Sequence, residues 1–152
     1  MNPSVKCRDI MNRKVITVKT STTARQAARI MSQHAVGSLI VVSRGKPVGI
    51  VTERDFVNRL VGKSKGSSAK VTEFMSSPVE TASPEIDIVT ASKLMNERNI
   101  RRLPLVEKGT LVGIVTSRDL HNYLFSHFDN LQKLVDVGKA LVQQLGRKGP
   151  DG

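Results

Sequence analysis

The stretch "GIVTERD", Gly49–Asp55, decides the reading, because "GIVTSRD", Gly113–Asp119, repeats it 64 positions later. Sliding the chain along itself by 64 places aligns residues 7–60 with 71–124 without a gap, and identities fall at 17 of the 54 aligned positions. They include Met11/Met75, Val15/Val79, Ala27/Ala91, Met31/Met95, Leu39/Leu103 and Gly45/Gly109, besides the motif itself. Repetition at a fixed period marks a duplicated supersecondary unit. One such unit buries too little surface to be comfortable alone, so the two are expected to pack together. Between them lies "GKSKGSSAK", residues 62–70, a polar run suited to a flexible surface crossing.

Working outward from the motif, each copy follows the same course. A short extended piece comes first, "VITV" at 15–18 or "VETA" at 79–82. A helix follows. "TARQAARIMSQH" places Ala24, Ala27, Ala28 and Met31 on one side, with Thr23 as N-cap and Gln26 three residues later; its copy starts at Asp87 and presents Ile88, Ala91, Leu94 and Met95. The small Ala27 and Ala91 would let a sheet approach closely. Two β-branched strands come next, "SLIVV" and "PVGIV" in one copy, "LPLV" and "LVGIV" in the other. Gly45 and Gly109 suit the turns between them, where φ is positive. A second helix then opens at Thr52 or Thr116. The order is β-α-β-β-α, twice, an α/β chain of two pseudo-symmetric repeats packed through their sheets with a C-terminal helix. The boundaries are a first repeat at 7–60, a linker at 61–70, a second repeat at 71–124, an amphipathic helix at 125–145 and a fraying tail at 146–152.

The 152 residues are 39% hydrophobic, 24% charged and only 3% aromatic, so aliphatic side chains must supply nearly all of the core. No apolar run approaches the roughly 20 residues a bilayer crossing needs, and the first residues lack the apolar segment of a secretory signal. A single cysteine, Cys7, allows no internal disulfide and suits a buried position. Together these features predict a cytoplasmic protein with no membrane span. The net charge of +11 is uneven: +8 over residues 1–60, +3 over 61–70, −1 over 71–120 and +1 over 121–152. Such an imbalance favours an anionic partner, whether nucleotide, nucleic acid or acidic protein.

At the strand-to-helix turn, Thr52-Glu53-Arg54-Asp55 and Thr116-Ser117-Arg118-Asp119 admit two readings. Thr at the N-cap with Asp three residues on forms a capping box. The same geometry prepares a phosphate seat. A helix N-terminus carries partial positive charge, a Thr hydroxyl can donate, Arg adds charge and donors, and a carboxylate can accept from ribose hydroxyls. Both roles can coexist. His34, His121 and His127 are scattered without metal-ligand spacing, and no nucleophile stands beside a base, so neither a metal site nor an enzyme is expected. His34 reads as a partner for its helix's C-terminal dipole.

"GIVTERD", "GIVTSRD", the run "RRLPLVEKGTLVGIVTSRDL" and the Ala-x-x-x-Met helices together resemble a tandem CBS-domain protein, a Bateman module of two cystathionine-beta-synthase-type domains. The resemblance covers residues 7–124. It implies a regulatory module that binds AMP, ADP or ATP, less often S-adenosylmethionine, in clefts between the repeats. By position, it implies Asp55 and Asp119 as ribose acceptors, Thr52 and Thr116 as phosphate contacts, and Arg54 and Arg118 beside the phosphates. It assigns the adenine edge to the backbone at Val15, Ile16 and Thr17 and at Val79 through Thr81. Ser38 and Ile40, with Arg102 and Pro104, would line the remaining wall, Arg102 within reach of phosphate. Ile40 stands where the second repeat has Pro104, and Gly37-Ser38 stands opposite Arg101-Arg102, so the clefts should differ, with the Asp119 side the fuller one. The controlled protein would be a separate chain.

The tail "NYLFSHFDNLQKLVDVGKALVQQL", 122–145, repeats apolar residues at helical spacing, at Leu131, Leu134, Val135, Leu141, Val142 and Leu145. It would dock on its own domain or join two copies in a two-fold homodimer. Nucleic-acid binding is the rival function, supported by the basic first half and opposed by the scarcity of aromatics to stack bases. A structural adaptor with vacant clefts is the third.

Overall fold

Two hairpins of identical register carry the two motifs. The computed structural model describes residues 4–127 and 131–146. Strand β2 (Ser38–Ser43) pairs antiparallel with β3 (Lys46–Thr52), and β4 (Arg102–Glu107) pairs antiparallel with β5 (Thr110–Thr116). Ser38 faces Thr52 as Arg102 faces Thr116, and the register shifts after Val41 as it does after Leu105. Arg44 and Gly45 at one tip, and Lys108 and Gly109 at the other, all have positive φ, between 50° and 77°. Two successive left-handed residues match the twist of the flanking strands, which is why each tip spends a glycine.

Strand β1 (Thr17–Lys19) runs parallel to β2 and completes a three-stranded sheet. Its counterpart "VETA" makes only a bridge from Ala82 to Leu105, so the second sheet has two strands. Each sheet is covered by helices. Helix α2 (Ala24–His34) begins with the expected capping box, in which the Gln26 N–H donates to Thr23 Oγ1 at 3.3 Å and the Thr23 N–H to Gln26 Oε1 at 3.0 Å. Helix α4 (Ile88–Glu97) is capped by Asp87. Ala27 and Ala91 are fully buried, as close packing on a sheet requires. The second helix of the first repeat, α3, runs over Glu53–Asp55 and passes into a π-helical turn at Phe56–Leu60; its counterpart α5 (Ser117–Ser126) is regular. The apolar tail forms a separate helix, α6 (Leu131–Gly146), after α5 has ended, with Val135 and Val142 exposed. Of the tail expected to fray from residue 146, Gly146 ends α6 and residues 147–152 lie outside the described residues.

The two cores exchange their leading segments. Cys7 and Met11, on and just after the short helix α1 (Cys7–Ile10), are buried with Ile88, Ala91, Met95, Leu103, Leu105, Val115 and Leu120 of the second repeat. Val71 and Phe74 are buried instead with Val18, Ala27, Leu39, Val41 and Val51 of the first. Backbone pairing fixes the exchange: Asn12 and Ile114 trade hydrogen bonds of 2.9 and 3.0 Å, and Ser76 and Ile50 do the same at 2.9 and 3.0 Å. Each leading segment thus covers the open edge of the other repeat's hairpin, the edge a lone hairpin would expose. Gly49 and Gly113 make the crossing possible. A Cβ on Gly49 would strike Met75 Sδ and come within 3.1 Å of the Ser76 carbonyl; on Gly113 it would strike Met11 Sδ and come within 3.2 Å of the Asn12 carbonyl.

Candidate functional site

Thr52 and Thr116 are the N-caps of α3 and α5, as their sequence position predicts. The Thr116 N–H donates to Asp119 Oδ2 at 2.8 Å and the Asp119 N–H returns to Thr116 Oγ1 at 3.1 Å. The first copy repeats this at 2.9 and 3.3 Å, with an added contact of 3.1 Å from Thr52 Oγ1 to Asp55 Oδ2. The capping reading is thus fully realised in both motifs. It uses only one carboxylate oxygen, Oδ2, and the other oxygen is where the copies part.

Asp55 is 4% exposed, and its Oδ1 accepts from the Ser76 hydroxyl at 3.2 Å, with Arg59 Nε 3.6 Å away. Asp119 is half-buried, and its Oδ1 has no hydrogen-bond partner among the described residues. The difference follows from two pairs of positions, each pair 64 apart. Where the first motif meets Ser76, the second meets Asn12, whose Oδ1 accepts from the Lys14 N–H at 2.9 Å. Where the first has Arg59, the second has Tyr123, stacked on His127 with ring centroids 4.1 Å apart. Asp55 is closed off by neighbours; Asp119 keeps an acceptor free.

The helix starts themselves are largely occupied. The Ser117 N–H donates to the Arg101 carbonyl at 2.9 Å and the Glu53 N–H to the Gly37 carbonyl at 3.2 Å. With the Asp N–H groups also bonded, charge for a phosphate must come chiefly from side chains. Arg54 and Arg118 are exposed beside their motifs, and Arg102 is half-buried. Arg102 spans the repeats: its backbone faces Thr116 in the hairpin, while its Nη2 lies 3.4 Å from where a Cβ on Gly37 would stand. Gly37 leaves room for that guanidinium. Glu53, also against Gly37, puts a carboxylate at the first motif where the second has Ser117.

The residues expected to line the remaining wall lie on or beside the paired strands. Leu39 and Val41 enter the first core, so by strand alternation Ile40 faces the other way, and it is 1% exposed. Ile40 lies beside Thr17 and Ile50, and Pro104 beside Ile114. The Ile16 carbonyl accepts from the Ile40 N–H at 3.2 Å, and the Pro104 carbonyl from the Ala82 N–H at 3.1 Å. Val15, Ile16, Ser38, Val79 and Thr81 are half-buried and Thr17 is exposed. Sequence reasoning set Gly37-Ser38 against Arg101-Arg102 as a difference between the clefts, but it singled out neither Ser76 nor Arg59, the residues that close Asp55. The signal was present in the 64-place alignment, which sets Ser76 against Asn12 and Arg59 against Tyr123.

A groove of about 530 Å³ lies on the helical side of the first repeat, lined by Ala28, Met31, Val36, Gly37, Glu53 and Phe56 among others. It contains neither Thr52 nor Asp55, and its one charged side chain, that of Glu53, would repel an anion. Among the described residues no cluster of three or more His, Cys, Asp or Glu could hold a metal, and no helix is long and apolar enough to cross a membrane.

The CBS domain family matches the chain twice, over residues 7–62 and 71–126. The chain is a tandem CBS-domain protein. CBS domains are a regulatory, non-catalytic family, so this chain is a regulatory module and not an enzyme. It is 38% identical over 113 residues to the CBS domain-containing protein YhcV of Bacillus subtilis, covering 74% of this chain and 81% of that one. It is also similar to the CBS domain pair of protein MJ0100, solved in complex with 5'-methylthioadenosine and S-adenosyl-L-methionine. That match has 29% identity and a TM-score of 0.74, and covers 82% of this chain and 98% of that one. A putative signal-transduction protein with CBS domains from Burkholderia ambifaria matches at 28% identity and a TM-score of 0.71, over 78% and 88% of the two chains.

Proposed function

We propose that this CBS pair senses an adenosyl ligand, an adenine nucleotide first, at the cleft of its second motif. One observation carries the reading: Asp119 is half-buried, held in place through Oδ2, and keeps Oδ1 free to accept from a ribose hydroxyl. In this cleft Arg118 and Arg102 supply the charge for a phosphate, and the backbone near Val79 and Thr81 reads the base edge. The first cleft, with Val15, Ile16, Thr17, Ser38, Ile40, Thr52 and Arg54 around it, is the weaker one, because Asp55 is already engaged and Glu53 opposes an anion. The adenosyl ligands of the MJ0100 domain pair support the ligand class; phosphate recognition rests on the arginines.

Regulation requires that the ligand favour one arrangement of the repeats over another. Arg102 suits that role, because it belongs to the second hairpin and rests on the first repeat. The reading extends to a cytoplasmic homodimer acting on a separate protein. The test is calorimetric titration of AMP, ATP and S-adenosylmethionine into the wild-type chain and into Asp55→Ala and Asp119→Ala. Micromolar binding that only Asp119→Ala abolishes is the expected result. Absence of binding by every adenosyl ligand at near-physiological salt would return both motifs to helix caps.

A further inference from the structure

The duplicated fold contains its own control for surface charge, and the two copies differ sharply at one place. Around the start of α2 the chain gathers Lys19, Arg25, Arg29, Lys65 and Lys70, all exposed. The backbone brings them together. The Arg25 N–H donates to the Ser67 carbonyl at 3.0 Å and its guanidinium to Ser67 Oγ at 3.3 Å, so the linker lies along the first turn of the helix. Lys70 bridges to Thr23, the Thr22 carbonyl accepts from the Val71 N–H at 2.8 Å, and the Thr22 N–H donates to the Lys19 carbonyl at 3.0 Å. Arg29 follows Arg25 by one helical turn, on the same face.

Over the residues described in both copies, the matching place on the second repeat is built from the same backbone and carries no such excess; the counterparts of residues 65–67 lie outside the described residues. Lys19 corresponds to Ser83, Arg25 to Val89, Ser21 to Glu85 and Thr23 to Asp87; Arg29 and Lys70 keep their charge as Lys93 and Lys6. The cation added there, Arg8, is neutralised by ion pairs to Glu85 and Glu107. On the first repeat the one nearby carboxylate, Glu73, accepts from the Lys70 N–H, and none of the five cations forms an ion pair among the described residues. The fold therefore does not need this charge, since its own twin forms without it.

We propose that this surface binds the phosphate backbone of nucleic acid. Segments 19–29 and 65–70, which carry it, hold none of the large exposed apolar side chains of the molecule. A protein partner draws most of its binding energy from a few buried anchors, Trp, Tyr and Arg foremost, and of these the segments offer only arginines. Nucleic acid draws it from counterion release, which needs only a row of cations. The absence of aromatics in these segments also means contact with phosphates rather than stacked bases, and hence little sequence preference.

The test is fluorescence anisotropy with labelled oligodeoxythymidine, oligouridine and duplex DNA of about 20 units, longer than the roughly 4–16 nucleotides a compact domain covers. It compares the full chain with Lys19→Gln/Arg29→Gln/Lys70→Gln and with the control Lys93→Gln/Lys108→Gln. Thermal melts would establish that all three are folded. Binding is expected to fall about tenfold or more in the triple variant at ~100 mM salt, with the salt slope reduced by about 2, some 0.7 per phosphate contact. The control should stay within about twofold of wild type. Preference among the three oligonucleotides identifies the natural polymer. No binding, an equal loss in the control, or equal affinity for polyglutamate would overturn the proposal; the last would assign the surface to an acidic protein.

Discussion

Ser76 donates its hydroxyl to Oδ1 of Asp55 at 3.2 Å, from a segment that belongs by sequence to the second repeat and by packing to the first. The exchange of leading segments thus does more than seal two hairpin edges. It sets Ser76 on the first hairpin and its counterpart Asn12 on the second, and the side chain at that position decides whether the carboxylate is closed. Ser76 is short and points at Asp55; Asn12 folds back onto the Lys14 N–H.

From this relationship comes a double dissociation. Asp55→Ala removes a buried acceptor shared by Thr52 and Ser76, and should cost about 2–4 kcal/mol. Asp119→Ala removes a cap at a half-buried site, and should cost about 1 kcal/mol. Adenosyl-ligand affinity should respond in the opposite sense, falling strongly for Asp119→Ala and little for Asp55→Ala. Urea denaturation and calorimetry on the same two variants check both halves.

The glycines of the paired motifs should be intolerant of a methyl group. Gly49→Ala and Gly113→Ala each push a Cβ into a methionine sulfur and against a backbone carbonyl of the crossing segment. Overpacking of this kind costs about 1–3 kcal/mol. Met11→Ala empties a buried site and should cost about 2–5 kcal/mol by itself. The double variant Gly113→Ala/Met11→Ala should cost less than the sum of the two single losses, and this recovery is only partial because the Asn12 carbonyl stays close. Denaturant midpoints of the single and double variants measure the recovery.

Most of the fold was legible because the repeat doubled every signal. Glycine at both hairpin tips, Thr-x-x-Asp at both helix starts and alanine at both close approaches each appear twice at one spacing. What escaped was which repeat each leading segment joins. Met11 and Met75 align with each other whether or not the segments cross, so periodicity carries no trace of the exchange. The strand expected at 79–82 reduces to a bridge at Ala82. In the site, capping partners follow from local spacing, but Ser76 lies 21 residues from Asp55 and Gly37 lies 65 from Arg102. Such neighbours come only from tertiary structure.

Arg102 should separate phosphorylated ligands from the rest. A charge-assisted hydrogen bond to phosphate is worth about 1.5–3 kcal/mol. Arg102→Ala is therefore expected to weaken AMP and ATP by roughly ten- to a hundredfold and to leave 5'-methylthioadenosine, which has no phosphate, nearly unchanged. Equal weakening of all three in calorimetric titration would mean that Arg102 shapes the cleft without touching phosphate.

Asp87 links stability to acid pH. Its carboxylate accepts from the Thr90 N–H at 2.9 Å and from Thr90 Oγ1 at 2.7 Å, and these bonds hold its pKa below the ordinary value of 3.8. The folded form therefore binds the proton less readily than the unfolded chain. Its contribution is present in full above the unfolded value and is lost as pH falls through the lowered folded one. Asp87→Ala should cost about 1 kcal/mol at neutral pH, the usual worth of an N-cap, and progressively less below about pH 4. Cys7 tests the alkaline side. Burial, with Asp87 adding to it, raises the thiol to about 11 from 9.0. This contribution is present below the unfolded value and is lost as pH rises through the folded one. Native protein at mildly alkaline pH should consequently react with a thiol reagent only as fast as α1 detaches from the second core. Urea midpoints from acid to neutral pH and labelling rates with and without denaturant measure the two effects; rapid labelling of folded protein would show that the α1 segment does not stay docked.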